Sequence, residues 1–141
     1  MLPRLAQAYE AEAIARLIDA AFQPYRDQGV VLPDVSGGID RMIAAGQVWV
    51  AGRAEVQGVL VVTIAPPKAH LMNVAVAPDA HGKGLGGKLI GHAVALAKDA
   101  GCDEIALATH VDLTGNIALY HHLGWQETER DGNRVMMSRA L

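Results

Sequence analysis

The residues at positions 81–88, His-Gly-Lys-Gly-Leu-Gly-Gly-Lys, combine what a phosphate site needs. Gly82, Gly84, Gly86 and Gly87 have no Cβ to keep a ligand off the backbone, and Lys83 and Lys88 supply positive charge. An apolar run ends just before them at Pro78. After them Leu85, Leu89, Ile90, Ala93, Val94 and Ala97 recur at helical spacing. The segment therefore reads as a strand, a glycine-rich turn and the start of a helix. A helix start leaves backbone N–H groups unpaired and carries the positive end of the helix dipole. Such a site holds an anion.

Three short motifs overlap on these residues. Gly82-x-x-x-x-Gly87-Lys88 meets most of the P-loop pattern, but Leu89 stands where Ser or Thr must hold magnesium. Gly82-x-Gly84-x-x-Gly87 meets the dinucleotide fingerprint, with Asp103 about twenty residues on. In that motif the first glycine ends the strand, whereas Pro78, Asp79, Ala80 and His81 intervene here. Asp103 and Glu104 also precede the next apolar run instead of closing it. Val74-Ala75-Val76-Ala77-Pro78, then His81-Gly82-Lys83-Gly84-Leu85-Gly86 and Leu89, resembles the acetyl-CoA signature of the GNAT-superfamily N-acetyltransferases. Downstream, Asn116-Ile117-Ala118-Leu119-Tyr120 with Leu123-Gly124-Trp125 is similar to that family's late helix and its ending. The two matches together span residues 71–126.

The resemblance implies an α/β fold of the GNAT type. One domain over residues 1–141 would carry a central, mostly antiparallel sheet with helices on both faces. Two central strands should splay apart to admit the cofactor. The implied activity is transfer of an acetyl group from acetyl-CoA to a primary amine of a small molecule or peptide, by direct attack. A catalytically silent CoA-binding sensor or partner module is the alternative. By the same resemblance, the backbone at Val74, Ala75 and Val76 pairs with the pantetheine arm as an added strand. The N–H groups of residues 82–87, Leu85 included, hold the pyrophosphate. His81 departs from the family's usual Gln or Arg, and its help to phosphate fades as pH rises above ~6.5. Lys83 reads as a charge partner of the CoA phosphates, Lys88 as a solvated helix-end lysine.

Amine attack on a thioester makes two demands: a proton leaves the amine, and the departing thiolate takes one up. Tyr120 fits the second, since a phenol has a reference pKa of about 10, and it matches the tyrosine that does this in many relatives. Asn116 lies one helical turn earlier on the same side; it contacts CoA or supports the start of the helix. The family's glutamate, on the strand before this helix, has no counterpart in Ala106-Leu107-Ala108-Thr109-His110. His110 is the best substitute base, with a capping or structural role as its alternative. His70 and Asn73 are lesser candidates, Asn73 as the residue that orients a water carrying the proton and as a substrate contact. His121 and His122 read as surface residues. The histidines show no metal-ligand spacing apart from this adjacent pair, so no metal site is expected. The acceptor pocket is expected to form from the first helix, the loop after it and the closing hairpin. Phe22, Tyr25 and the segment up to Val35 are its variable part in this family, with Tyr25 as a wall or an ordinary helix-end aromatic.

The elements that must position these groups follow from periodicity. A short strand is expected at 4–6 and an amphipathic helix at 9–22, its inner face made by Ala13, Leu17, Ala20 and Ala21. A connection punctuated by Pro24, Gly29, Pro33, Gly37 and Gly38 leads to a short helix at 39–45, closed by Gly46. Strands are expected at 47–53, 56–64 and 70–77, then the long helix to about 100, a strand at 105–109 and a helix at 114–123. A hairpin around Asp131-Gly132-Asn133 ends the chain. Its 141 residues suffice for one hydrophobic core. The net charge of −3 and few aromatics argue against nucleic acid. No apolar run approaches the ~18 residues of a membrane span, and no secretory leader is visible. The single cysteine, Cys102, suits a reducing cytoplasm. Relatives often pair through their later strands, so a homodimer is an expectation.

Overall fold

The computed structural model describes residues 3–32, 36–52 and 54–141. Pro33 and Val35 of the expected connection, and Arg53 at an expected strand end, lie outside the described residues. The first strand, β1 (Arg4–Leu5), is followed by a 3-10 turn at Ala8–Glu10 and by helix α1 (Ala11–Asp27). Glu10 is buried and takes both arms of the Arg4 guanidinium at 2.9 and 2.8 Å, plus the Gln7 N–H at 2.8 Å. These bonds tie β1 to the head of α1. The Arg4 hydrogen bonds hold the Glu10 carboxyl below its ordinary range.

The inner face of α1 is Ile14, Leu17, Ile18 and Phe22. The expected face is rotated, because Ala13 and Ala20 are exposed. Isoleucine buries far more apolar area than alanine, so Ile14 and Ile18 decide which side turns inward. The helix also runs past Phe22 and through Pro24. Pro24 lacks the N–H that would reach Ala20, but both residues are on the exposed side, where water can serve the unpaired carbonyl. Helix α2 (Ile39–Ala44) buries Ile39 and Ile43 beside α1, and Gly46 follows it at φ 73°.

Among the described residues, seven strands form one sheet. After β1 the order is β2 (Val48–Ala51), β3 (Gly58–Ala65), β4 (Lys68–Val76), β5 (Glu104–His110), β7 (Arg134–Ala140) and β6 (Gln126–Asp131). Only β4 and β5 are parallel neighbours; every other pair is antiparallel. Helices α3 (Leu85–Asp99) and α4 (Thr114–His122) cover one face, α1 and α2 the other. β3 is buried on both sides: Leu60 and Val62 meet the α3 core, Val59 and Val61 the α1 core. That double burial explains its continuous apolar run. Helix α3 lies tight on β3 at Gly58, where a Cβ would come within 2.8 Å of the Leu89 side chain. β6 is exposed along its whole length, and its charged side chains blunt the sheet edge.

One irregularity creates the central opening. Val61 pairs with Asn73 but Val62 pairs with Leu71, which leaves Met72 as the extra residue of a β-bulge. Before the bulge, Ala69 and Leu71 face the α3 core. Beyond it Val74 and Val76 face that core, and Ala75 turns to the α1 side. A single inserted residue swaps the faces of all that follows. β4 and β5 pair only at Lys68–Glu104, Ala69–Ile105 and His70–Ala106. After that β4 stays with β3 and β5 stays with β7, so the two central strands part.

Candidate active site

Where β4 leaves β5, the backbone of β4 past His70 has no strand partner on that side. The glycine-rich turn stands at the end of this open edge. Gly82 and Gly84 adopt φ values of 82° and 73°, a region that favours glycine. Gly84 is the residue before α3, no side chain caps the helix, and its first turn contains no acidic residue. The first backbone bond of α3 runs from the Lys88 N–H to the Gly84 carbonyl at 3.2 Å. The N–H groups of Leu85, Gly86 and Gly87 thus precede the ladder and are free for an anion.

A cavity of about 390 Å³ lies against this turn, with Val74, Ala75 and Val76 along one side and Asn116 and Leu119 along another. A Cβ at Gly87 would meet nothing within 4 Å, and one at Gly86 would touch Leu119 and Val76 at 3.7 and 3.8 Å. Side chains there would occupy the cavity without colliding with the fold. Open strand edge, unpaired N–H groups and bare glycine backbone fit an extended amide chain ending in a pyrophosphate. His81 lines this cavity, whereas Lys83 and Lys88 are exposed and outside its lining.

A second cavity, of about 560 Å³, opens on the other side of the splay. The two share Phe22, Val74 and Asn116. That junction is where a group carried along β4 would meet a molecule held in the larger cavity.

Tyr120 lines the larger cavity from α4, 7% exposed, its ring tilted against Trp125 with centroids 5.6 Å apart. Among the described residues its hydroxyl has no hydrogen-bond partner. Burial pushes its pKa up to about 12. At neutral pH the hydroxyl therefore keeps its proton and can donate a hydrogen bond.

His110 also lines the larger cavity. The Asp112 N–H donates to its Nδ1 at 3.0 Å, and the Asp112 carboxylate lies 3.8 Å from the same nitrogen. Accepting at Nδ1 places the proton of the neutral ring on Nε2. A general base needs a free lone pair, and this tautomer offers the cavity an N–H instead. The expected base role of His110 does not fit that hydrogen bond.

Asn73 lines the larger cavity just past the bulge, and Asn116 lines both cavities. Tyr25, expected to wall the acceptor pocket, lies on the glycine-turn cavity instead. Because α1 continues through Pro24, Tyr25 is carried toward α4, and a Cβ on Gly115 would sit 3.9 Å from its hydroxyl. Asp131 and Arg134 reach the larger cavity from the β6–β7 hairpin; the hairpin is expected at the acceptor pocket, but no pattern in the sequence singles out these two side chains as lining it. They arrive because β7 inserts beside β5, pairing Arg134 with His110. No group of three or more metal-ligating side chains occurs among the described residues, and no described helix is long and apolar enough to cross a membrane.

The chain belongs to the GNAT acetyltransferase family: the model of the Acetyltransferase (GNAT) family matches residues 11–125. Comparison with curated protein sequences finds no match. Solved structures do match. The PaiA N-acetyltransferase of Thermoplasma acidophilum, in complex with coenzyme A, is 17% identical over 99% of this chain and 98% of its own, with a TM-score of 0.88. An IAA acetyltransferase from Bacillus cereus is 23% identical, covering 99% of each chain, with a TM-score of 0.72. The ribosomal-protein-S18-alanine N-acetyltransferase of Escherichia coli is 18% identical over 98% of this chain and 92% of its own, with a TM-score of 0.74. At these identities the likeness is one of fold.

Proposed function

We propose that the protein transfers an acetyl group from acetyl-CoA to a primary amine of a small molecule or peptide, by direct attack. The observation that carries this reading is the junction at Phe22, Val74 and Asn116, where the two cavities meet in the splay. Acetyl-CoA supplies an activated thioester carbonyl. The N–H groups of residues 82–87 hold its pyrophosphate, and Val74, Ala75 and Val76 align its arm. His81 donates at the mouth, with Lys83 as a more distant charge.

Tyr120 donates a hydrogen bond where the sulfur departs. Its raised pKa lies well above the ~8.5 of a thiol, so it stabilises the developing thiolate rather than surrendering its proton outright. The amine proton leaves through the polar side of the larger cavity. Asp131 is the carboxylate among the described lining residues there, and a water oriented by Asn73 is the other route. Pairing as a homodimer and a cytoplasmic setting belong to the same proposal, resting on the family resemblance and the single, buried Cys102.

A CoA-binding module without turnover is the second reading, favoured by the Nε2–H tautomer of His110 and the absence of a carboxylate at 106–110. Thiol release from acetyl-CoA with a panel of amines separates the two. Amine-dependent release supports transfer; tight binding with no release for any amine supports the silent module.

A further inference from the structure

The walls of the larger cavity divide by origin. The first half of the chain contributes an apolar side, Phe22, Leu32, Ile39 and Met42, from α1, the segment after it and α2. The second half contributes a polar side built from the end of β5 and the β6–β7 hairpin. On that side Asp131 and Arg134 are the last cross-strand pair of the hairpin, and Arg134 is also the register partner of His110. Among the described residues neither the Asp131 carboxylate nor the Arg134 guanidinium has an ion-pair or hydrogen-bond partner, although they are neighbours. Among the described residues the rim therefore offers a free anion, a free cation and the Nε2–H of His110.

We propose that the acceptor is a free α-amino acid with an apolar side chain, recognised as a zwitterion at this rim. The inference rests on the acetyl-transfer reading above and names its substrate. An α-carbon carries three groups in three directions, and the cavity has three matching regions. The amine goes to the junction at Phe22, Val74 and Asn116, the side chain to the apolar wall, the carboxylate to Arg134 and His110. Asp131 attracts the incoming ammonium and takes part in its loss of a proton. Among the described lining residues a polyamine finds one carboxylate, and a simple amine leaves Arg134 without a counter-ion. The cavity of about 560 Å³ is within the usual range of small-molecule sites.

The test measures thiol release at saturating acetyl-CoA with L-phenylalanine, L-leucine, phenylalaninamide, phenethylamine and spermidine. The expected result is a kcat/KM for phenylalanine about ten-fold or more above phenylalaninamide and phenethylamine, the ratio a charge-assisted bond supplies. In Arg134→Gln that ratio should fall toward one, and in Arg134→Glu it should invert. Both changes sit on an exposed position, so folding is not at issue. Equal rates for phenylalanine and phenethylamine, preference for spermidine, or an unchanged ratio in Arg134→Gln would overturn the proposal while leaving acetyl transfer standing. Preference for the amide would point instead to a peptide N-terminus and would also overturn it. Failure of acetyl-CoA to bind, measured separately by calorimetry, would overturn both readings together.

Discussion

The backbone N–H of Asp112 donates to Nδ1 of His110 at 3.0 Å, and this one bond decides what the imidazole presents to the larger cavity. With Nδ1 occupied, Nε2 carries the proton, so in the proposed reaction His110 would meet an acceptor as a hydrogen-bond donor. His110→Ala should therefore raise KM for the acceptor by about ten-fold, with kcat changed much less, since a hydrogen bond made equally in ground and transition states affects binding. Steady-state kinetics check this. A fall in kcat of about 10³-fold with an altered pH profile would restore His110 as the base.

Tyr120 is buried with its pKa raised to about 12, so it stays protonated throughout the working range. Tyr120→Phe should lower kcat by about 10²-fold, with affinity for acetyl-CoA little changed. The wild-type enzyme should show no alkaline decline in kcat near pH ~10, the reference value of an exposed phenol. Unchanged turnover in the variant would reduce Tyr120 to a packing partner of Trp125.

Gly87 has open space where a Cβ would stand and a backbone that any residue adopts. Gly87→Glu should keep the fold, read from circular dichroism and the thermal midpoint. It should weaken acetyl-CoA binding by about 10²-fold or more, because a carboxylate then competes for the N–H groups at the start of α3. Retained affinity would move the phosphates elsewhere.

His92 on α3 packs edge-on against Trp49, with centroids 4.6 Å apart, and among the described residues its buried Nε2 has no hydrogen-bond partner. Burial lowers its pKa below 6.5, so the unfolded chain takes up a proton before the folded one does. Its contribution to stability is complete above 6.5 and is lost as pH falls from there through the folded value. The urea midpoint should drop between about pH 7 and pH 5 in the wild type, and drop less in His92→Phe. Parallel curves would dismiss the role.

Glu10 follows the same sign in a more acid window. Its Arg4 hydrogen bonds lower its pKa from 4.5, so stability is present above that value and lost as pH falls through the folded one. Glu10→Gln should destabilise by about 1.5–3 kcal/mol at neutral pH, the range for hydrogen bonds to charged groups, and toward its lower end because Arg4 is exposed. Urea unfolding of the two proteins measures it.

The parts of the site legible in the sequence are those encoded locally. The turn at 82–87 announces itself because glycine spacing, the preceding apolar run and the following helical periodicity lie within one stretch. Tyr120 and Asn116 are placed on one side of a helix by their spacing. What fails depends on rotation or on partners distant in sequence. Tyr25 changes cavity because α1 does not stop at Phe22, and a proline on an exposed helix face is no firm stop. The hairpin's place at the acceptor pocket is expected, but which of its residues face the pocket is settled only by β7 lying between β5 and β6, which brings Arg134 beside His110. His110 does line the larger cavity, but its tautomer depends on the turn that brings the Asp112 N–H to its Nδ1, which no local pattern announces.

The central claim is that the glycine turn and the open edge of β4 hold acetyl-CoA. Calorimetric titration with acetyl-CoA, run beside Mg-ATP and NADH, tests it most directly. The account predicts about micromolar binding of acetyl-CoA and none of either nucleotide. Absence of acetyl-CoA binding, or preference for a nucleotide, would contradict the assignment of the 82–87 turn and every site residue that depends on it.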